Sequence, residues 1–179
     1  MDAKPFTPLE RPRAVERVDL PPDLLRFFQH NEGVGLESSH ERDIRLCRLS
    51  EVKEYAWRDV PIFGADDDPG WDDFRGLYIG VSSFLDRIFW VRKAPCCPEG
   101  SIFALGPDVA GPGGAGEYAM EPSLVLASSF DEWLTRLARY DWIEYGLGPG
   151  AIWDLPEAEQ TELRAYYRSL NPGIEWEPL

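Results

Sequence analysis

The stretch GLYIGVSSFLDRIFWVRK, residues 76–93, restricts the fold more than any other part of the chain. It reads as two strands, residues 77–82 and 87–92, joined by a turn. Both runs are almost continuously apolar and rich in aromatic and β-branched side chains. A strand carries such a run when both of its faces are covered, so both strands belong at the centre of a sheet. SIFAL, residues 101–105, adds a third strand after a turn at Pro98 to Gly100, and Leu124, Val125 and Leu126 a short edge strand. IRLCRL, residues 44–49, alternates apolar and charged residues as a half-buried strand does.

Helices flank these strands. LPPDLLRFFQHNEG, residues 20–33, starts a helix with prolines in its first turn, where a missing N–H costs little. Leu24, Leu25, Phe27 and Phe28 form its apolar stripe, and Asn31, Glu32 and Gly33 stop it. Ser50 is expected to cap a short helix with Val52, Tyr55 and Ala56 on its inner face. SFDEWLTRLARYDWI, residues 129–143, is the clearest helix, opened by a Ser129/Glu132 capping box. Its inner face is Phe130, Trp133, Leu134, Leu137 and Ala138. A further helix spans residues 156–170, beginning at Pro156 and stopped by Asn171-Pro172-Gly173. The Gly- and Pro-rich residues 106–123 and GLGPG at 146–150 are breaks. The pattern predicts an α+β fold with a mixed, mostly antiparallel sheet packed by helices. An extended lead-in covers residues 1–17, the main domain 18–145 and a helical extension 146–179.

Charge limits the partners. With 32 acidic against 18 basic residues the formal net charge is −14. Phosphate backbones and anionic membrane surfaces need the opposite sign, so neither nucleic acid nor membrane is expected as a partner. No run approaches the ~18 apolar residues of a membrane span, and the first residues lack the apolar centre of a signal peptide. Cys47, Cys96 and Cys97 do not make a disulfide framework, and the adjacent pair could close only in a strained ring. Reduced thiols and a cytoplasmic location are the expectation.

The chemical candidates narrow quickly. ADDDPGWDDF, residues 65–74, puts five aspartates into eight positions: Asp66, Asp67, Asp68, Asp72 and Asp73, around Trp71. Counted as a calcium loop from Asp66, glycine falls fifth and the twelfth position is Leu77, so the EF-hand pattern fails. His30 and His40 lie ten residues apart with no cysteine spaced to help, and His30 reads as a partner for the end of its helix. GPGGAG, residues 111–116, has the letters of a dinucleotide fingerprint without the strand and helix that make it work. Cys96 and Cys97 sit in a turn between Pro95 and Pro98, and Ser82 and Ser83 lack the glycines of a nucleophile elbow. Neither a cofactor nor a resident metal is expected. The aspartates are either a surface that steers an Arg- and Lys-rich partner toward Trp71, or a solvated turn with Trp71 folded inward.

The order of these pieces resembles the SUKH superfamily, which includes a yeast cell-wall-synthesis regulator and many bacterial proteins. The resemblance covers roughly residues 18–145, and LPPDLLRFFQHNEG and SSFDEWL (128–134) match best. It implies an α+β fold and, for bacterial members, an immunity role: binding and neutralising a toxin, often a nuclease or deaminase, without a catalytic residue set. This chain differs in carrying SSFLDR at 82–87, where many relatives have a Gly-Asp pair, and in its C-terminal extension. The expectation is a non-enzymatic immunity protein that meets a basic toxin through Asp66, Asp67, Asp68, Trp71, Asp72 and Asp73. An intracellular regulatory scaffold and a divalent-metal-dependent enzyme are the alternatives.

Overall fold

A computed structural model describes residues 4–17, 19–34, 44–56, 72–82, 87–105, 124–142 and 155–172. The strands are β1 (Phe6–Pro8), β2 (Asn31–Gly33), β3 (Ile44–Leu46), β4 (Lys53–Ala56), β5 (Arg75–Ser82), β6 (Arg87–Lys93), β7 (Ile102–Leu105) and β8 (Leu124–Ala127). The helices are α1 (Pro22–His30), α2 (Phe130–Arg139) and α3 (Glu157–Leu170). The fold is α+β. Its main sheet runs β3-β5-β6-β7-β8, with β4 also pairing to β5, and every pairing among the described strands is antiparallel.

The continuous apolar runs have the explanation their composition demands. Ile88 and Trp90 of β6, Ile102 and Ala104 of β7, and Leu124 and Leu126 of β8 enter one core. The alternate residues Phe89, Val91, Phe103, Leu105 and Val125 enter a second core on the opposite face, together with Phe74. The first core is filled by helices: Leu24, Phe27 and Phe28 of α1, Phe130, Trp133 and Leu137 of α2, and Leu163 and Tyr167 of α3. Edge-to-face rings join α1 to α2, with Phe27 and Phe130 centroids 5.3 Å apart. Trp90 also donates its indole N–H to Asp23 at 3.1 Å, so the one polar atom of that ring is satisfied where sheet meets helix.

Several expectations change. Ser50 starts no α-helix: the chain makes a 3-10 turn at Leu49–Glu51, with the Arg48 N–H donating to the Glu51 carboxylate at 2.6 Å, and re-enters the sheet as β4. β3 pairs with residues 80–82 of β5 and β4 with residues 75–78, so the turn is an excursion within one broken edge. Tyr55 accordingly packs on Tyr78 and Phe89 across the sheet, while Val52 alone reaches the helical core. Arg45 is not the solvated side of a half-buried strand; it is 4% exposed. Leu25 is half-buried, Ala138 is exposed, and α2 ends at Arg139, not 143.

The flanking segments are integrated. Residues 6–8 of the lead-in form β1, which pairs with the Asn31–Gly33 stop of α1. Gly33 is required there, since a Cβ would fall 1.8 Å from the Cys47 carbonyl oxygen. After α2, Asp141 and Trp142 take left-handed φ values of 55° and 72°, a cost of about 1–2 kcal/mol each for residues other than glycine. The turn sets Trp142 edge-on to Phe6 at 5.2 Å, which offsets part of that cost. Residues 106–123 and 146–150, read from the sequence as breaks, lie outside the described residues, as does His40.

Candidate functional site

Of the residues singled out in the acidic segment, Asp72 and Asp73 are described, while Asp66, Asp67, Asp68 and Trp71 lie outside the described residues. What the structure defines is the root. Ala56 at the end of β4 and Arg75 at the start of β5 are cross-strand partners, so the chain leaves and re-enters the sheet at adjacent points. Arg75 in turn pairs with Lys93 of β6.

Phe74 is the anchor, and sequence reasoning passed over it. Its ring is fully buried in the second core, edge-to-face with Phe89 at 5.5 Å and tilted on Phe103 at 5.9 Å. Gly76 makes room for it: a Cβ there would come within 2.9 Å of the Phe74 ring and 3.2 Å of Phe89. The signal was an aromatic residue closing an aspartate run two positions before a strand glycine. Burying a phenylalanine stabilises by about 1.5–3 kcal/mol, enough to fix where the segment re-enters the sheet.

Beside this anchor Asp73 and Lys93 are open to solvent, while Arg92 is partly covered. The Asp73 carboxylate meets the Lys93 ammonium at 3.0 Å, with side chains 76% and 62% exposed. Arg75 folds back on the main chain, donating to the carbonyls of Phe74 at 2.7 Å and Asp72 at 3.3 Å. Glu54 of β4 holds Arg92 of β6 at 2.7 Å. An exposed pair such as Asp73–Lys93 contributes less than about 1 kcal/mol, so these groups can exchange partners at small cost. Solvated carboxylates on a fixed root can attract and orient a cation. Among the described residues no group of three or more His, Cys, Asp and Glu is placed to hold a metal ion.

The other sequence candidates separate from this surface. His30 is exposed in the last turn of α1, where its backbone carbonyl accepts from the Leu9 N–H at 2.8 Å. Cys47 is buried, and burial pushes its thiol up to about 12. Cys96 and Cys97 are free thiols in the β6–β7 connection. Ser82 is a buried residue at the end of β5. No helix among the described residues is long and apolar enough to cross a membrane. No family model, curated protein or solved structure matches the chain.

Proposed function

We propose that the chain is a non-enzymatic immunity protein that binds and neutralises a cognate bacterial toxin, a basic nuclease- or deaminase-type domain. The observation that carries this reading is the charge: −14 overall, with five carboxylates in eight positions at residues 66–73. A nuclease must hold phosphate and is basic where it does so, and an inhibitor presenting carboxylates to that face gains association rate and specificity. Steering of this kind reaches ~10⁸ to 10⁹ M⁻¹s⁻¹, which matters when the toxin must be captured before it finds nucleic acid. Asp66, Asp67, Asp68, Asp72 and Asp73 supply the field and Trp71 the apolar contact. Inhibition follows from covering the toxin's site, with no bond made or broken.

The resemblance to the SUKH superfamily, carried by residues 20–33 and 128–134, supports the same reading. The test begins with the tagged chain as bait in its native strain. A captured protein with a basic domain that kills cells when produced alone, and spares them when the chain is co-produced, is the expected result. Capture of non-toxic clients only, or turnover of a substrate by the purified chain, would contradict it.

A further inference from the structure

The β6–β7 connection carries chemistry that neither the acidic segment nor the two cores use. Cys96 and Cys97 bring their Sγ atoms to 3.7 Å, within hydrogen-bonding range for sulfur. Cys96 is exposed, whereas Cys97 is half-buried against the second core. The turn that presents them is held in place: the Gly100 N–H donates to the Val91 carbonyl at 2.8 Å and the Val91 N–H to the Ser101 carbonyl at 2.9 Å. Gly100 adopts a φ of 91°, which glycine takes without strain.

The two sulfurs are chemically unequal. The hydrogen bond shared with Cys97 holds the Cys96 thiol below its ordinary value, against the opposing effect of burial. The same bond, followed by burial, pushes the Cys97 thiol well up, so Cys97 keeps its proton. An exposed sulfur inclined to the thiolate, beside a second that can resolve it, is the arrangement of a redox-responsive pair. The remaining thiol, Cys47, is buried in the helical core and takes no part.

We propose that Cys96 and Cys97 form a reversible two-electron oxidation site that takes a hydroperoxide as oxidant and a small thiol as reductant. The Cys96 thiolate attacks the peroxide; an S–O bond forms, the O–O bond breaks, and the leaving oxygen departs as water or an alcohol after gaining a proton. Cys97 Sγ then attacks Cys96 Sγ, forming the S–S bond as the S–O bond breaks, and its proton leaves with the hydroxide as water. Two thiols lose two electrons and the peroxide gains them. Neighbouring Cα atoms are held about 3.8 Å apart by a trans peptide, below the usual disulfide span of about 4.4–6.8 Å. The ring is therefore strained and readily opened by a small thiol, which makes the reaction reversible.

The test uses the full chain, fully reduced and then treated with stoichiometric hydrogen peroxide. The intact mass should fall by two hydrogens and two of the three thiols should disappear, the third reacting only after unfolding, and dithiothreitol should restore both readings. Cys97→Ser should halt at a dimedone-trappable sulfenic acid on Cys96, whereas Cys47→Ser should close as the parent does. An unchanged mass, a mass gain in oxygen without closure, or a covalent dimer would overturn the proposal. The parent-chain measurement decides even if a variant fails to fold.

Discussion

At one edge of the sheet, β8 is sealed by a side chain; at the other, β4 hands the chain to a run of aspartates. Val125 of β8 turns its N–H and C=O outward, and the Asn171 amide meets both, accepting at 2.8 Å and donating at 2.9 Å. The amide also donates to the Tyr167 carbonyl at 2.9 Å, so one buried side chain continues the sheet and closes the last turn of α3. The neighbouring corner is tied in the same way. Burial pushes the Glu132 carboxyl up, but hydrogen bonds from the Ser128 N–H and hydroxyl and the charge of Arg136 outweigh it and hold it below its ordinary value. The β4 edge has a buried anchor, Phe74, but its charged groups are solvated. The Asn171 amide at the β8 edge is buried and fixed, whereas Asp73 and Lys93 at the β4 root are exposed, which under the proposed function leaves them open to a partner.

The comparison can be broken most forcefully at its one exception. Phe74→Ala should cost about 4 kcal/mol in urea unfolding, because it empties a fully buried ring site in the second core. A loss below about 1 kcal/mol would mean that the root is not anchored. Asn171→Ala should cost about 3 kcal/mol, since it strands the buried N–H and C=O of Val125. It should also speed hydrogen exchange at Val125 more than at residues of β5.

Acid sharpens the contrast further. Glu132 titrates lower in the folded protein than in the unfolded chain, so the unfolded chain binds its proton first as pH falls. The stability it contributes is present above the unfolded carboxyl value and is lost as pH drops through the lowered folded value. Glu132→Gln should therefore reduce stability slightly at neutral pH and make the acid limb of the stability curve shallower. An unchanged acid limb would remove Glu132 from the lock. Asp73→Asn should be the smallest change, within about 0.5 kcal/mol, because its ion pair with Lys93 is exposed. A larger loss would make the pair a structural element of the β4 edge.

Much of this fold could be read from local pattern. The runs at 77–82 and 87–92 announced central strands because burial on both faces leaves few polar positions. Half of the α2 capping box was equally visible: Ser129 accepts from the Glu132 N–H at 3.2 Å, but the Glu132 carboxylate takes the Ser128 N–H at 3.0 Å in place of that of Ser129. What escaped was set by distant partners. Lys53–Ala56 joins β5 as a strand because pairing with residues 75–78 outweighs a weak local preference for helix. Asn171 looked like a helix stop; its second role depends on Val125, 46 residues earlier. At the candidate site, the aspartates were plain in the sequence, but Phe74, Gly76 and Lys93 acquire meaning only once β5 and β6 are paired.

The proposed role of the carboxylates of residues 66–73 is to meet a cationic face. Its most direct test is the association rate of the chain with its captured partner across a range of salt concentrations. The parent should associate fast at low salt and slow steeply as salt rises. The variant with Asp66, Asp67, Asp68, Asp72 and Asp73 all changed to Asn should associate at least about tenfold more slowly at low salt, with a flatter dependence. Identical rates and identical salt slopes for the two proteins would contradict the account.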